Sequence, residues 1–189
     1  MWLRPPGPVA PGLRIGLLGG SFNPAHAGHL YVAEIARRRL ALDYVWWIVS
    51  PQNPLKPVEG MLPFEARYAA ARALAAGNPR IVVTELERTL GSSYTLDTIK
   101  ALRRRFAQVR FVWLMGSDNL EQFHRWRGWR EIARRLPVAV VLRPGSTLAP
   151  LRARAAKTVH VLVIDGRRNE TSATAIRGGI GAAKAGMLH

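Results

Sequence analysis

Leu13-Arg14-Ile15-Gly16-Leu17-Leu18-Gly19-Gly20-Ser21-Phe22-Asn23-Pro24-Ala25-His26-Ala27-Gly28-His29 is the stretch that decides the fold. Leu13 to Leu18 is a short apolar run ending in two glycines, and from His29 to Leu40 apolar positions recur at helical spacing. The reading is strand, loop, helix. The loop is neither a Walker A sequence, which needs Lys followed by Ser or Thr, nor a dinucleotide G-x-G-x-x-G. Its small residues let a phosphate approach the backbone closely, and the helix start offers it free N–H groups and a partial positive charge. His26 and His29 stand at that start, where their rings can donate hydrogen bonds to phosphate oxygens. One histidine beside a turn is ordinarily a polar cap. Two of them, behind paired glycines and after the first strand of an α/β pattern, point to function. Zinc is the other reading of His-x-x-His, but no third ligand is evident and the loop context favours phosphate.

Further along, Tyr44 to Val49 is a second apolar and aromatic run, closed by a loop with Pro51, Pro54 and Pro57 that cannot continue a central strand. Pro63 suits the first turn of a helix running to about Ala76. Arg80–Val83 reads as a strand, Tyr94–Phe106 as a helix, Val109–Met115 as a strand and Trp129–Leu136 as a helix. Val138–Leu142 and Val159–Ile164 complete the strands, with a helix between them near Leu148–Ala156. Strands that are apolar throughout, alternating with amphipathic helices, imply a parallel sheet covered on both faces. The expected fold is a doubly wound, Rossmann-like α/β domain. Ligands bind such sheets at the carboxyl ends of the strands, near the point where strand order reverses.

A chain of 189 residues, 48% hydrophobic, suits one domain. It is expected over 13–189, after a flexible, proline-rich lead-in over 1–12 that does not look like a signal peptide. Apolar runs are far too short for a bilayer span. The absence of cysteine excludes disulfides and thiolate metal sites and makes the cytoplasm the expected compartment. A net charge of +16 attracts polyanions and leaves open a non-catalytic RNA-binding protein. That reading needs a continuous basic stripe with interleaved aromatics. Instead Arg37–Arg39, Arg103–Arg105, Arg134–Arg135 and Arg152 with Arg154 are scattered where helices are expected to end, where cations favour the helix dipole.

Gly19 to His29 resembles the first signature of the nucleotidyltransferase superfamily with the His-x-Gly-His motif. Thr171-Ser172-Ala173-Thr174-Ala175-Ile176-Arg177 is similar to its second element, a C-terminal Ser/Thr-rich turn ending in arginine. Three further segments resemble nicotinate-nucleotide adenylyltransferases in particular: Ser50-Pro51-Gln52-Asn53-Pro54-Leu55-Lys56, Ser92-Ser93-Tyr94-Thr95-Leu96-Asp97-Thr98 and Gly116-Ser117-Asp118-Asn119-Leu120. Phe123-His124-Arg125-Trp126-Arg127-Gly128-Trp129 follows the last. The resemblance runs from Leu13 to Arg177 with the motifs in order.

The resemblance implies adenylyl transfer from ATP to nicotinate mononucleotide, giving deamido-NAD and pyrophosphate. It implies His26, His29 and Arg177 as catalytic residues. Gly19, Gly20, Ser21, Phe22, Lys56, Asp118, Ser172 and Thr174 are then expected to hold ATP and its phosphates. Ser172 and Thr174 would cap a helix while donating to phosphate, Asp118 would contact the ribose, and Lys56 would lie over the phosphates. Asn53, Tyr94, Thr95, Trp126 and Arg127 are expected to take the mononucleotide. Trp126 would stack on the pyridine ring as an exposed indole, and Thr95, with backbone N–H groups near Arg127, would hold the carboxylate. A Mg2+ ion held mainly by the ATP phosphates is the expected cofactor. The expected partners are the two nucleotides, with no specific nucleic acid and no membrane, and a homo-oligomer is compatible. Trp46, Trp47, Trp113 and Trp129 are expected in the core, and His124, His160 and His189 match no site position. A phosphopantetheine adenylyltransferase is the second reading within the superfamily. After Arg177 the family usually continues with a substantial helix, whereas Gly178, Gly179, Gly181 and Gly186 weaken one here.

Overall fold

The computed structural model describes residues 4–52, 55, 59–143, 154–166 and 176–177. β1 (Arg14–Gly20), β2 (Tyr44–Val49), β3 (Ile81–Thr84), β4 (Arg110–Gly116), β5 (Val138–Leu142) and β6 (Val161–Asp165) form one sheet, all pairing in parallel. A seventh strand, β7 (Ile176–Arg177), lies antiparallel to β6. The strand order is β3-β2-β1-β4-β5-β6-β7, so strand order reverses between β1 and β4.

Seven helices are described: α1 (Ala27–Arg39), α2 (Phe64–Ala75), α3 (Leu86–Leu90), α4 (Thr95–Arg105), α5 (Ser117–Phe123), α6 (Trp129–Arg135) and α7 (Arg154–Thr158). Side chains alternate across each strand, and this alternation sorts the apolar residues into two cores. Leu18, Trp47 and Leu114 pack with Val32, Ala33 and Ala36 of α1 and Ala71 of α2. On the opposite face Leu17, Trp46, Trp113 and Val140 pack with Ile99 and Leu102 of α4, Phe123 of α5 and Ile132 of α6. Burial on both faces explains why the strands are apolar without interruption.

The expected strands and longer helices stand where the sequence places them, within one or two residues. Other features differ. α3 and α5 had no counterpart among the expected elements: α3 spans only five residues, and α5 follows β4 with no intervening residue. β7 puts the Arg177 backbone in a strand rather than a turn, where it pairs with Leu162. The helix expected near Leu148–Ala156 is seen only as α7, and 144–153 lie outside the described residues. Arg152 lies outside the described residues, and Arg154 is the first described residue of α7. The dipole argument holds for Arg37–Arg39, Arg103–Arg105 and Arg134–Arg135, each in the last turn of its helix. The stretch read as a lead-in is tied down over part of its length: Val9 packs on the core and the Gly12 N–H donates to the Gln108 carbonyl at 2.9 Å.

Candidate active site

The carboxyl ends of β1 and β4 open into a cleft of about 340 Å³, within the range of small-molecule sites. At its base the chain leaves β1 through Gly19 and Gly20 and turns at Phe22, whose φ of 49° lies in the left-handed region. His26 then caps α1. The Gly28 N–H donates to His26 Nδ1 at 3.1 Å, and the His26 N–H donates to His29 Nδ1 at 3.2 Å. This is a capping box built from two imidazoles instead of a hydroxyl and a carboxylate. Because each Nδ1 accepts, the proton of each neutral ring resides on Nε2. A Cβ on Gly28 would stand 2.9 Å from the His26 ring, so the glycine of the motif keeps that ring in place.

The two imidazole centroids are 4.1 Å apart, and His29 stacks on buried Phe22 at 4.5 Å. Burial first, and then the neighbouring His26, pushes the His29 pKa down to about 4. At neutral pH His29 is therefore an uncharged N–H donor, and both rings flank the free N–H groups of the helix start.

β4 supplies the other wall. Trp113 lies over Gly19, where a Cβ would come within 2.6 Å of the indole. Trp126 meets Trp113 edge-on, with centroids 5.9 Å apart and planes at 84°, and meets Phe123 at 5.4 Å and 79°. It lines the cleft but is half-buried, so the exposed indole that the sequence suggested is instead packed against Trp113 and Phe123. Trp46, Trp47 and Trp113 are fully buried and Trp129 nearly so, as expected of core residues. Asp118 stands in the first turn of α5, and its carboxylate faces Arg143 at 3.7 Å.

The third wall is the start of α4. Tyr94 stands at its N-cap position, and Ser92 Oγ accepts from the Tyr94 N–H at 3.2 Å while donating to Asp97 at 2.9 Å. Arg127 pairs with Asp97 at 3.3 Å and lies over the Tyr94 ring at 4.4 Å. Beneath them sits Glu87 of α3, 3% exposed, accepting from Thr98 Oγ1 at 3.5 Å. Burial raises its carboxyl from an ordinary 4.5 to about 7, against hydrogen bonds from Ser50 and Thr98 that lower it.

The cleft thus brings together Gly19, Gly20, Ser21, Phe22, His26, His29, Tyr94, Thr95, Asp118, Trp126 and Arg127, drawn from three separate regions of the chain. Asn53, Lys56, Ser172 and Thr174 lie outside the described residues, and Arg177 is described only through its backbone in β7. Sequence reasoning missed Arg143 and Glu87. Arg143 follows directly on β5, where the strand-end rule directs attention, but one arginine carries little signal among 28 basic residues. Glu87 sits in a helix too short to be legible.

The cytidylyltransferase-like family model matches residues 17–179. A probable nicotinate-nucleotide adenylyltransferase of Parvibaculum lavamentivorans is 52% identical over 157 residues, covering 83% of this chain and 78% of the relative. Its namesake in Rhizobium johnstonii is 44% identical over 187 residues, with 89% and 94% covered. Among solved structures, a Plasmodium falciparum nicotinic acid mononucleotide adenylyltransferase complexed with NaAD superposes with a TM-score of 0.62 at 18% identity, over 74% of this chain and 70% of that one. A putative nicotinate-nucleotide adenylyltransferase of Vibrio parahaemolyticus gives 0.57 at 23% identity, over 68% and 76%. At those identities the solved structures speak for the fold.

Proposed function

The chain belongs to the cytidylyltransferase-like family, among its nicotinate-nucleotide adenylyltransferases, and from that premise we infer that it transfers the adenylyl group of ATP to nicotinate mononucleotide, giving deamido-NAD and pyrophosphate. The observation that carries the mechanism is the reciprocal histidine cap at the switch point of the sheet.

The attacking 5′-phosphate has a second pKa of about 6, so at neutral pH it is largely ionised and needs no general base. Catalysis then rests on aligning the two nucleotides and on donors for charge growing on the α-phosphoryl group and the departing pyrophosphate. Nε2–H of His26 and of His29 are such donors, with the free N–H groups at the start of α1 beside them. Because His29 is uncharged, it donates without being titrated across the neutral range. Arg143 adds a cation on the β5 side. Arg177, Ser172, Thr174 and Lys56 are assigned to the triphosphate from their motifs alone.

Trp126 is assigned to stack on the pyridine ring and Tyr94, Thr95 and Arg127 to the mononucleotide, while Asn53 is assigned there from its motif alone. Asp118 is assigned to the adenosine ribose as an acceptor. Magnesium suits this cleft as a substrate-borne ion, because of its carboxylates Asp118 is paired with Arg143 and Glu87 is buried. Bound to the phosphates and water, it neutralises part of the charge that builds up on them. The catalytic domain is assigned to 13–189 and its compartment to the cytoplasm; no helix among the described residues is long and apolar enough to cross a membrane.

Labelled ATP tests the reaction class. Label at the α-phosphate is expected in the dinucleotide product, and label at the γ-phosphate in pyrophosphate. Transfer of the γ-label to the mononucleotide would make the protein a kinase and overturn the reading.

A further inference from the structure

Arg67 belongs to α2, outside the motifs that define the site, and is 1% exposed. Its guanidinium is spent on backbone carbonyls. Nε donates to the Leu62 carbonyl at 2.9 Å, Nη1 to those of Ser21 at 2.6 Å and Ser50 at 2.8 Å, and Nη2 to that of Pro51 at 2.7 Å. These carbonyls come from three segments: the loop after β1, the loop after β2 and the approach to α2. No carboxylate lies within ion-pair distance among the described residues, and the nearby Glu65 pairs with Arg88 at 2.9 Å.

Burying a cation without a counter-charge is costly, and apolar packing would join a helix to two loops more cheaply. Only the planar fork of arginine reaches several carbonyls at once in fixed geometry. What the fork holds is the rear of the cleft: Ser21 and Ser50 line it, while Arg67 lies behind them. In a trans peptide the N–H points opposite to the carbonyl. Drawing the Ser21 carbonyl onto Arg67 therefore turns the Phe22 N–H away from it, and that N–H has no acceptor among the described residues.

We propose that Arg67 is a positioning residue for adenylyl transfer. By gathering the carbonyls of Ser21, Ser50 and Pro51 onto one guanidinium, it sets the spacing between the loop that receives the ATP phosphates and the loop that receives the mononucleotide. This rests on the reaction inferred above.

The test is steady-state pyrophosphate release with ATP, magnesium and nicotinate mononucleotide, comparing wild type, Arg67→Lys and Arg67→Ala, with melting curves of each. Lysine keeps the charge but loses the fork, so Arg67→Lys is expected to stay folded while kcat falls on the order of a hundredfold, as misalignment by an ångström does. The loss is expected mainly in kcat rather than KM, since each nucleotide still binds alone. Millimolar guanidinium is expected to restore about tenfold or more of the activity lost in Arg67→Ala and to leave wild type unchanged. Folded Arg67→Lys with kcat within about twofold of wild type would overturn the inference. So would activity that merely tracks the folded fraction and is not restored by guanidinium. An inactive wild type would bring down the reaction and Arg67's role together, whereas an active wild type with unaffected variants would bring down the role alone.

Discussion

His29 does two jobs through its two nitrogens: Nδ1 accepts the N–H of His26 and so fixes the ring, and Nε2–H is left for the substrate. His29→Ala is expected to lower kcat by about 10²–10³, the loss typical of one preorganised donor, with circular dichroism unchanged. Unchanged turnover in the folded variant would contradict the role. Trp126→Ala is expected to raise KM for the mononucleotide by about tenfold and to affect ATP far less, since base–aromatic stacking contributes about 1–3 kcal/mol. Equal weakening of both substrates would refute stacking. Glu87 gives a prediction in pH. Its folded-state pKa, about 7, is raised above the ordinary 4.5, so the folded protein holds a proton that the unfolded chain gives up between those values. The stability it contributes is full below pH 4.5 and lost as pH rises through 7, by about 3 kcal/mol. Melting temperature is therefore expected to fall between pH 5 and pH 8 in wild type and to stay flatter in Glu87→Gln. The histidines were legible because a pair of imidazoles behind two glycines at a helix start is unusual, whereas Trp126 and the Ser-Tyr-Thr stretch were legible only through their resemblance to family motifs. Glu87 and Arg67 were not, because burial is what makes them unusual and a sequence does not display it.

The strands were legible because a parallel sheet leaves each with apolar neighbours on both faces, and α1, α2 and α4 because each is long enough to show a helical period. Two very short elements, α3 and β7, were not. α3 spans five residues and ends at Gly91, whose φ of 63° suits the left-handed turn there. β7 is two residues long and depends wholly on β6 for its pairing, which no local pattern encodes. The site depends on how these elements abut. Trp113 of β4 lies against the glycine end of β1, so Gly19→Ala is expected to force the indole aside, destabilising the protein by about 1–3 kcal/mol. It should also disturb Trp126, which rests edge-on against Trp113, and raise KM for the mononucleotide. A thermal melt and kinetics on one preparation check both, and a variant matching wild type in stability would contradict the close packing.

Taken as a whole the molecule is a strongly basic enzyme with a net charge of +16, and much of the charge among the described residues stands at helix ends. α1, α4 and α6 each finish in consecutive arginines, on elements spread over both faces of the sheet. A field of this kind attracts polyanions, RNA among them. Retention on immobilised RNA is expected to vanish at moderate salt, as the screening length falls below about 8 Å, while adenylyl transfer persists. Retention that survives salt would favour the RNA-binding alternative. The central claim concerns the acceptor, and the most direct test is pyrophosphate release with ATP and magnesium, offering nicotinate mononucleotide, nicotinamide mononucleotide and phosphopantetheine at matched concentrations. Strong preference for nicotinate mononucleotide is the expected result; preference for either other acceptor would contradict the substrate assignment, and no release with any of them would contradict the enzyme itself.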